Sequence, residues 1–166
     1  MAKAVKVATV AFMALLISQR LSAHCEIPCG IYNDELRASL ITEHIGTIEK
    51  SMQQIAELSK AGEKNYNQIV RWVQNKEAHA GEIQHIVTQY FLTQRVKPAD
   101  PADKAAHEKY VAQLKALHGL LVAAMKAKQT TDLAHVATLR ELLGQFRALY
   151  FGHHAAGAER HHAHSR

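Results

Sequence analysis

The residues best suited to chemistry lie in one stretch of nine, from His24 to Tyr32. It reads His-Cys-Glu-Ile-Pro-Cys-Gly-Ile-Tyr and holds the only two cysteines of the chain, Cys25 and Cys29, around a proline that curves the backbone. If the chain began at His24, its terminal amine, the deprotonated amide of Cys25 and both thiolates would form a square plane. Nickel(II) and copper(II) favour this geometry, and the imidazole of His24 could then take an axial position. Thiolate and amidate donors also stabilise a higher oxidation state, so the stretch predicts a redox-active metal site.

Other interpretations of the two cysteines stay open on spacing alone. A C-x-x-x-C pair in an exported protein often forms a plain disulfide, and a thiol nucleophile with a histidine base is a further possibility. A structural zinc site would need four side-chain ligands, and no second Cys/His pair is spaced to complete one. The sequence is not C-x-x-C-H, which excludes covalent haem attachment.

Residues 1–23 have the three parts of a secretory leader. A basic start with Lys3 and Lys6 precedes an apolar run over residues 7–17 and a small-residue exit that ends at Ala23. The apolar run is too short to cross about 30 Å of hydrocarbon as a helix, so no stable membrane anchor is expected. Cleavage after Ala23 would make His24 the new N-terminus. We therefore expect a periplasmic or secreted protein.

The motif His-Cys-x-x-Pro-Cys-Gly-x-Tyr, placed directly after a removable leader, resembles the nickel hook of the nickel-dependent superoxide dismutases. Six positions of the motif agree without a gap, from His24 to Tyr32. The sequences Arg-Trp-Val at 71–73 and Tyr-Phe-Leu at 90–92 also resemble the second helix of family members. The resemblance extends over about residues 1–150.

The resemblance implies an enzyme that converts superoxide into dioxygen and hydrogen peroxide by cycling between Ni(III) and Ni(II). His24 would give its amine and, in the oxidised state, its imidazole; Cys25 would give its amide nitrogen and thiolate, and Cys29 its thiolate. Tyr32 would stand beside the open axial face, where it would order water and restrict access to small anions. Family members assemble as homohexamers, and their leaders can also be removed by a protease inside the cell, which would leave a cytoplasmic enzyme.

Two non-enzymatic hypotheses remain beside the enzyme. A periplasmic nickel or copper carrier would bind metal at the same hook without turnover, whereas a helical interaction module would close its terminus with a disulfide. The family's carboxylate that orients the axial imidazole has no clear match. Glu35 and Glu43 are equal candidates, with Arg71 or Lys76 as cationic partner, and Glu26 stands where the family often has Asp.

The rest of the chain is predicted to be a helical domain over residues 33–151. Apolar residues recur at steps of three and four, as on one helical face. The predicted core stripes are Ile41, Ile45, Ile48, Met52 and Ile55; Ile69, Trp72, Val73, Ala80, Ile83, Val87 and Tyr90; Tyr110, Leu114, Leu117, Leu121 and Ala124; and Val136, Leu139, Leu143, Phe146 and Tyr150. Asn33 or Asp34 can cap the first helix and Asp132 the fourth. A Pro-rich segment at 97–101 and a polar joint at 129–132 separate these stretches. No stretch alternates with period two, so we expect no sheet. Four amphipathic helices with short joints predict an antiparallel four-helix bundle, preceded by the metal-binding hook.

The net charge of +5 does not indicate a nucleic-acid partner, because the leader carries three basic residues and no acid, which leaves +2 for the remainder. Histidine is the unusual residue, with twelve in the chain, five of them within the last fourteen residues. Residues 152–166 have no apolar face and are expected to be a disordered tail, which is either solvated or a loose ligand for divalent metal.

Overall fold

The computed structural model of the protein describes residues 33–152, and these form helices and no strand. The elements in chain order are α1 (Asp34–Ser59), a 3₁₀ turn (Gly62–Asn65), α2 (Tyr66–His85) with a π-helical continuation (Ile86–Arg95), α3 (Lys104–Gln129) and α4 (Ala134–Phe151). Each helix packs on the next, and α1 also packs on α4. The predicted all-α four-helix bundle is confirmed. The leader, the hook through Tyr32 and the tail beyond Gly152 lie outside the described residues.

Short polar side chains cap the starts of α1, α3 and α4, as predicted for α1 and α4, whereas α2 has no side-chain cap. The side-chain oxygen of Asn33 accepts a hydrogen bond from the backbone nitrogen of Leu36 at 3.2 Å, so Asn33, not its neighbour Asp34, caps α1. Asp103 caps α3 in the same way, and Asp132 accepts from the first residue of α4 at 2.9 Å. These contacts satisfy amide groups that have no partner within the first turn of a helix.

The core lies along the apolar stripes of α1 and α4, where the predicted residues are buried. The fully buried large side chains include Ile41, Ile45, Ile48 and Met52 from α1 and Val136, Leu139 and Phe146 from α4. In α3 the core-facing stripe is rotated toward small residues, so the predicted Tyr110, Leu114 and Leu121 are only partly buried. Near the start of α2, Val73 is exposed instead of buried.

Lys76 is the one buried cationic side chain among residues 33–152, with a relative exposure of 3%. Its ammonium nitrogen donates to the carbonyl oxygens of Ala127 (2.7 Å), Lys128 and Thr130 (3.3 Å). The first two carbonyls lie in the last turn of α3, where a helix has no internal partner for its carbonyl groups and the macrodipole is negative. Lys76 therefore fastens α2 to the C-terminal end of α3.

None of the helices within residues 33–152 has both the length and the apolar character needed to cross a membrane.

Replacing Lys76 with methionine should destabilise the fold by about 2 kcal/mol, because the buried carbonyls lose a charged donor while the side-chain length is kept. The measurement is urea unfolding of Lys76→Met against the parent chain. Lys60→Met is the matched control: Lys60 makes an exposed ion pair with Glu57 at 2.6 Å, and such pairs contribute little. Equal unfolding midpoints for the two variants would contradict the capping role.

Candidate metal centre

The four residues predicted to form the metal site, His24, Cys25, Cys29 and Tyr32, all lie outside residues 33–152. Within that range, no three side chains of Cys, His, Asp or Glu are grouped so that they could hold a metal ion. What the structure does show is how the chain is held immediately after the hook. Tyr32 is followed by Asn33, which caps α1, and by Asp34, the first residue of that helix.

The Asp34 carboxylate collects donors from two other helices; we refer to Asp34, Tyr90, Arg95 and Tyr150 as the Asp34 cluster. Arg95 binds it with two nitrogens, Nε to Oδ1 at 2.8 Å and Nη2 to Oδ2 at 2.9 Å. Tyr150 of α4 donates to Oδ2 at 2.8 Å, and Tyr90 donates to Oδ1. Such two-point binding by a guanidinium is stronger and more directional than a single contact.

The cluster fixes the charge state of its members. Burial by itself would raise the pKa of Asp34, but hydrogen bonds from Arg95, Tyr90 and Tyr150 together outweigh it, and the pKa is lowered. Burial and the hydrogen bond to Asp34 raise the pKa of Tyr90 and of Tyr150 to about 12. Both phenols therefore remain protonated donors at neutral pH, facing a carboxylate that remains ionised.

The π-helical winding of residues 86–95 explains why two of the donors reach the same carboxylate. In an α-helix, residues five apart point about 140° away from each other, whereas a π-helix bonds residue i to residue i+5 and aligns them. Val96 shows this pattern, because its backbone nitrogen donates to the carbonyl oxygen of Phe91 at 2.8 Å. Tyr90 and Arg95 are also five residues apart, and the Arg95 guanidinium carbon lies 5.6 Å from the centre of the Tyr90 ring.

Aromatic packing holds the donor from α4 in place. The ring of Tyr150 stacks on Phe146 at 5.2 Å between centroids and meets Phe91 edge-on at 5.7 Å. Phe91 and Phe146 are themselves fully buried. Because the core fixes these rings, the Tyr150 side chain loses little conformational entropy when its hydroxyl binds Asp34.

The residues considered as support for the axial imidazole make other contacts. Glu35 accepts from Arg147 of α4 at 3.1 Å, and Lys76 is held by the end of α3 as described above. Arg71 lines a surface groove between α1 and α2, next to Trp72 and Lys50.

Sequence reasoning did not find the Asp34 cluster. It identified Asp34 only as a possible helix cap and placed Tyr90 and Tyr150 on apolar stripes. One signal was available: a phenol on a core stripe needs a partner for its hydroxyl group, and the two stripes that end in tyrosine converge on one acid at the start of α1.

Replacing Asp34 with asparagine should destabilise the protein by about 2–3 kcal/mol at neutral pH, because Arg95 is left without its counter-ion. The folded pKa of Asp34 lies below its ordinary value of 3.8. The stabilisation is therefore complete above that value and is lost as the pH falls toward the folded pKa. The difference in free energy of unfolding between parent and variant, measured with urea, should stay constant from neutral pH down to about pH 5 and then shrink as the pH falls toward about 2.

Glu49→Gln is the control for this prediction, because Glu49 pairs with Arg140 on an exposed surface. Its loss should cost less than about 1 kcal/mol. If the difference in free energy of unfolding between Asp34→Asn and the parent does not change with pH, Asp34 is not the ionised partner of Arg95.

Comparison with known proteins identifies the family. A sequence description of the nickel-containing superoxide dismutases matches residues 19–154, a range that includes the hook motif and all four helices. No curated protein and no solved structure matches the chain. Since the match covers well over half of the 166 residues, the chain belongs to the nickel-containing superoxide dismutases, enzymes that use nickel to remove superoxide.

Proposed function

We propose that this superoxide dismutase binds its nickel with the first residues of the mature chain. The ligands would be the terminal amine and imidazole of His24, the amide nitrogen and thiolate of Cys25 and the thiolate of Cys29. The observation that carries this proposal is the donor set itself. It is the square-planar set that nickel(II) favours, and it lies in one unbroken motif inside the matched range.

The bound nickel would supply a one-electron Ni(III)/Ni(II) couple, through which one superoxide is oxidised to dioxygen and a second, with two protons, is reduced to hydrogen peroxide. The chain has three tasks around this chemistry. His24 must expose a free amine, which requires removal of residues 1–23. Cys25 and Cys29 must stay ligated, because free thiolates beside peroxide are oxidised. The Tyr32 hydroxyl would order water beside the nickel and limit which anions approach.

The position of Tyr32 along the chain supports its role. It precedes the capping residue Asn33 and stands two residues before Asp34, which Arg95 and Tyr150 hold at 2.8–2.9 Å. The end of the hook is thus joined directly to one of the best-anchored points of the bundle.

The place and form of the working enzyme are part of the same proposal. The leader at residues 1–23 favours export to the periplasm or beyond, with removal by a cytoplasmic protease as the alternative. The resemblance to the family favours a homohexamer. Exposed apolar side chains at positions 66, 70 and 73 follow one face of α2, a spacing compatible with a subunit contact.

The decisive test uses a chain trimmed to begin at His24 and loaded separately with nickel, copper or zinc, next to an untrimmed chain. We expect superoxide removal with nickel alone and only in the trimmed chain, because the untrimmed chain lacks the terminal amine. Electron paramagnetic resonance of the active sample should show Ni(III), and its sedimentation should show six subunits. Tight nickel binding without turnover would instead support the carrier, and Cys25→Ser should remove nickel in either case.

Tyr32→Phe should keep its nickel but become more sensitive to inhibition by azide. The phenyl ring keeps the bulk and loses one hydrogen bond to ordered water, worth about 1 kcal/mol, or roughly a fivefold lower inhibition constant. Tyr110→Phe is the control, since Tyr110 packs partly buried against the core from α3 and belongs neither to the hook nor to the Asp34 cluster. Identical inhibition constants in the two variants would remove Tyr32 from the site.

A further inference from the structure

We propose that His44 and His79 form a second site for a divalent transition metal, distinct from the hook. His44 lies on α1 and His79 on α2, and their Nδ1 atoms are 2.8 Å apart. The ring centroids are 4.9 Å apart and the ring planes are inclined by 56°. Imidazole nitrogen is a good ligand for nickel, copper and zinc, and here two neighbouring helices bring one such nitrogen each to within 2.8 Å of the other.

The spacing of the two nitrogens indicates which ions fit. With metal–nitrogen bonds of about 2.05 Å, adjacent positions at a right angle place two nitrogens about 2.9 Å apart, whereas a tetrahedral ion needs about 3.3 Å. The observed 2.8 Å is close to the first value. Copper(II) and nickel(II), which accept right-angle positions, therefore fit with little movement of the two rings, whereas zinc needs the two nitrogens about 0.5 Å further apart.

The metal-free pair can exist only with a single proton between the facing nitrogens, because one Nδ1 must donate and the other accept. Burial, followed by the charge of His79, lowers the pKa of His44, while Glu82 and Glu43 act in the opposite direction. For both Nδ1 atoms to bind an ion, the proton between them would move to Nε2 of the donor ring, so that both rings stay neutral and both Nδ1 lone pairs face the metal. The two carboxylates also supply negative charge that favours a cation.

The pair is separate from the Asp34 cluster. His44 stands ten residues along α1 from Asp34, about 15 Å at the rise of an α-helix. Both residues are only partly buried, so the pair is in contact with solvent. The protein offers two ligands, and water would complete the coordination, so the site suits an exchangeable ion. An ion bound there would bridge α1 and α2 and stabilise the folded chain by linkage.

The test uses the full 166-residue chain, in which the leader blocks the terminal amine of the hook. Thermal unfolding is followed with and without nickel(II) for the parent, for His44→Gln/His79→Gln and for the control His85→Gln, whose side chain is exposed near the end of α2. We expect nickel to raise the midpoint equally in the parent and the control, and to raise it markedly less in the double variant. An equal rise in all three chains would assign the effect to the hook or the histidine tail and overturn the proposal.

A second measurement on the parent chain does not depend on the folding of any variant. Substoichiometric copper(II) is paramagnetic and should broaden the ring resonances of His44 and His79 much more than those of His85, which lies about 9 Å further along α2. The same titration with zinc should require a higher concentration to shift the His44 and His79 signals. Unchanged resonances of this pair, with broadening confined to histidines of the tail or hook, would show that no metal binds between α1 and α2.

Discussion

The packing of the bundle depends on the charge partner and hydrogen-bond donors that surround the carboxylate of Asp34. A partly buried charge is costly unless it is paired and hydrogen-bonded. Asp34 meets that condition with donors from two other helices, Arg95 and Tyr90 at the end of α2 and Tyr150 at the end of α4. Its place in the first turn of α1 adds a favourable interaction with the positive end of the helix. One side chain therefore sets where α1 begins relative to its neighbours.

The π-helical segment and the Asp34 cluster depend on each other. A run of ten π-helical residues is unusual, since such winding normally occupies a single turn and often marks a functional region. Tyr90 and Arg95 can serve the same acid because the winding aligns them, and their bonds to Asp34 in turn hold the winding. Side chains reinforce it: the hydroxyl of Thr93 donates to the carbonyl oxygen of Thr88 at 2.7 Å, five residues back.

The four helices could be predicted because their apolar spacing, capping residues and proline-rich break are local properties of the sequence. Ile41, Ile48 and Leu139 stand on such stripes and are buried. The exact face of α3 could not be predicted in this way, since alanines and the larger Tyr110 compete for the core and only the neighbouring helices decide between them. The Asp34 cluster joins residues as far as 116 apart in sequence. Its geometry also depends on the π-helical segment, which a search for the α-helical period of 3.6 residues does not reveal. The hook motif is the opposite case, because all its donors are neighbours in the chain.

This difference separates two requirements in the proposed enzyme. In the proposed site, nickel ligation would use only His24, Cys25 and Cys29, so the choice of metal would follow from local sequence and from a free amine at His24. Tyr32 contributes no ligand in the proposal; its task depends on where its hydroxyl stands. The chain immediately after it is fixed by the cap at Asn33 and by the Asp34 carboxylate. Changes within the bundle can therefore alter the approach of anions and the order of water without altering the donor set, whereas changes in the hook alter the metal itself.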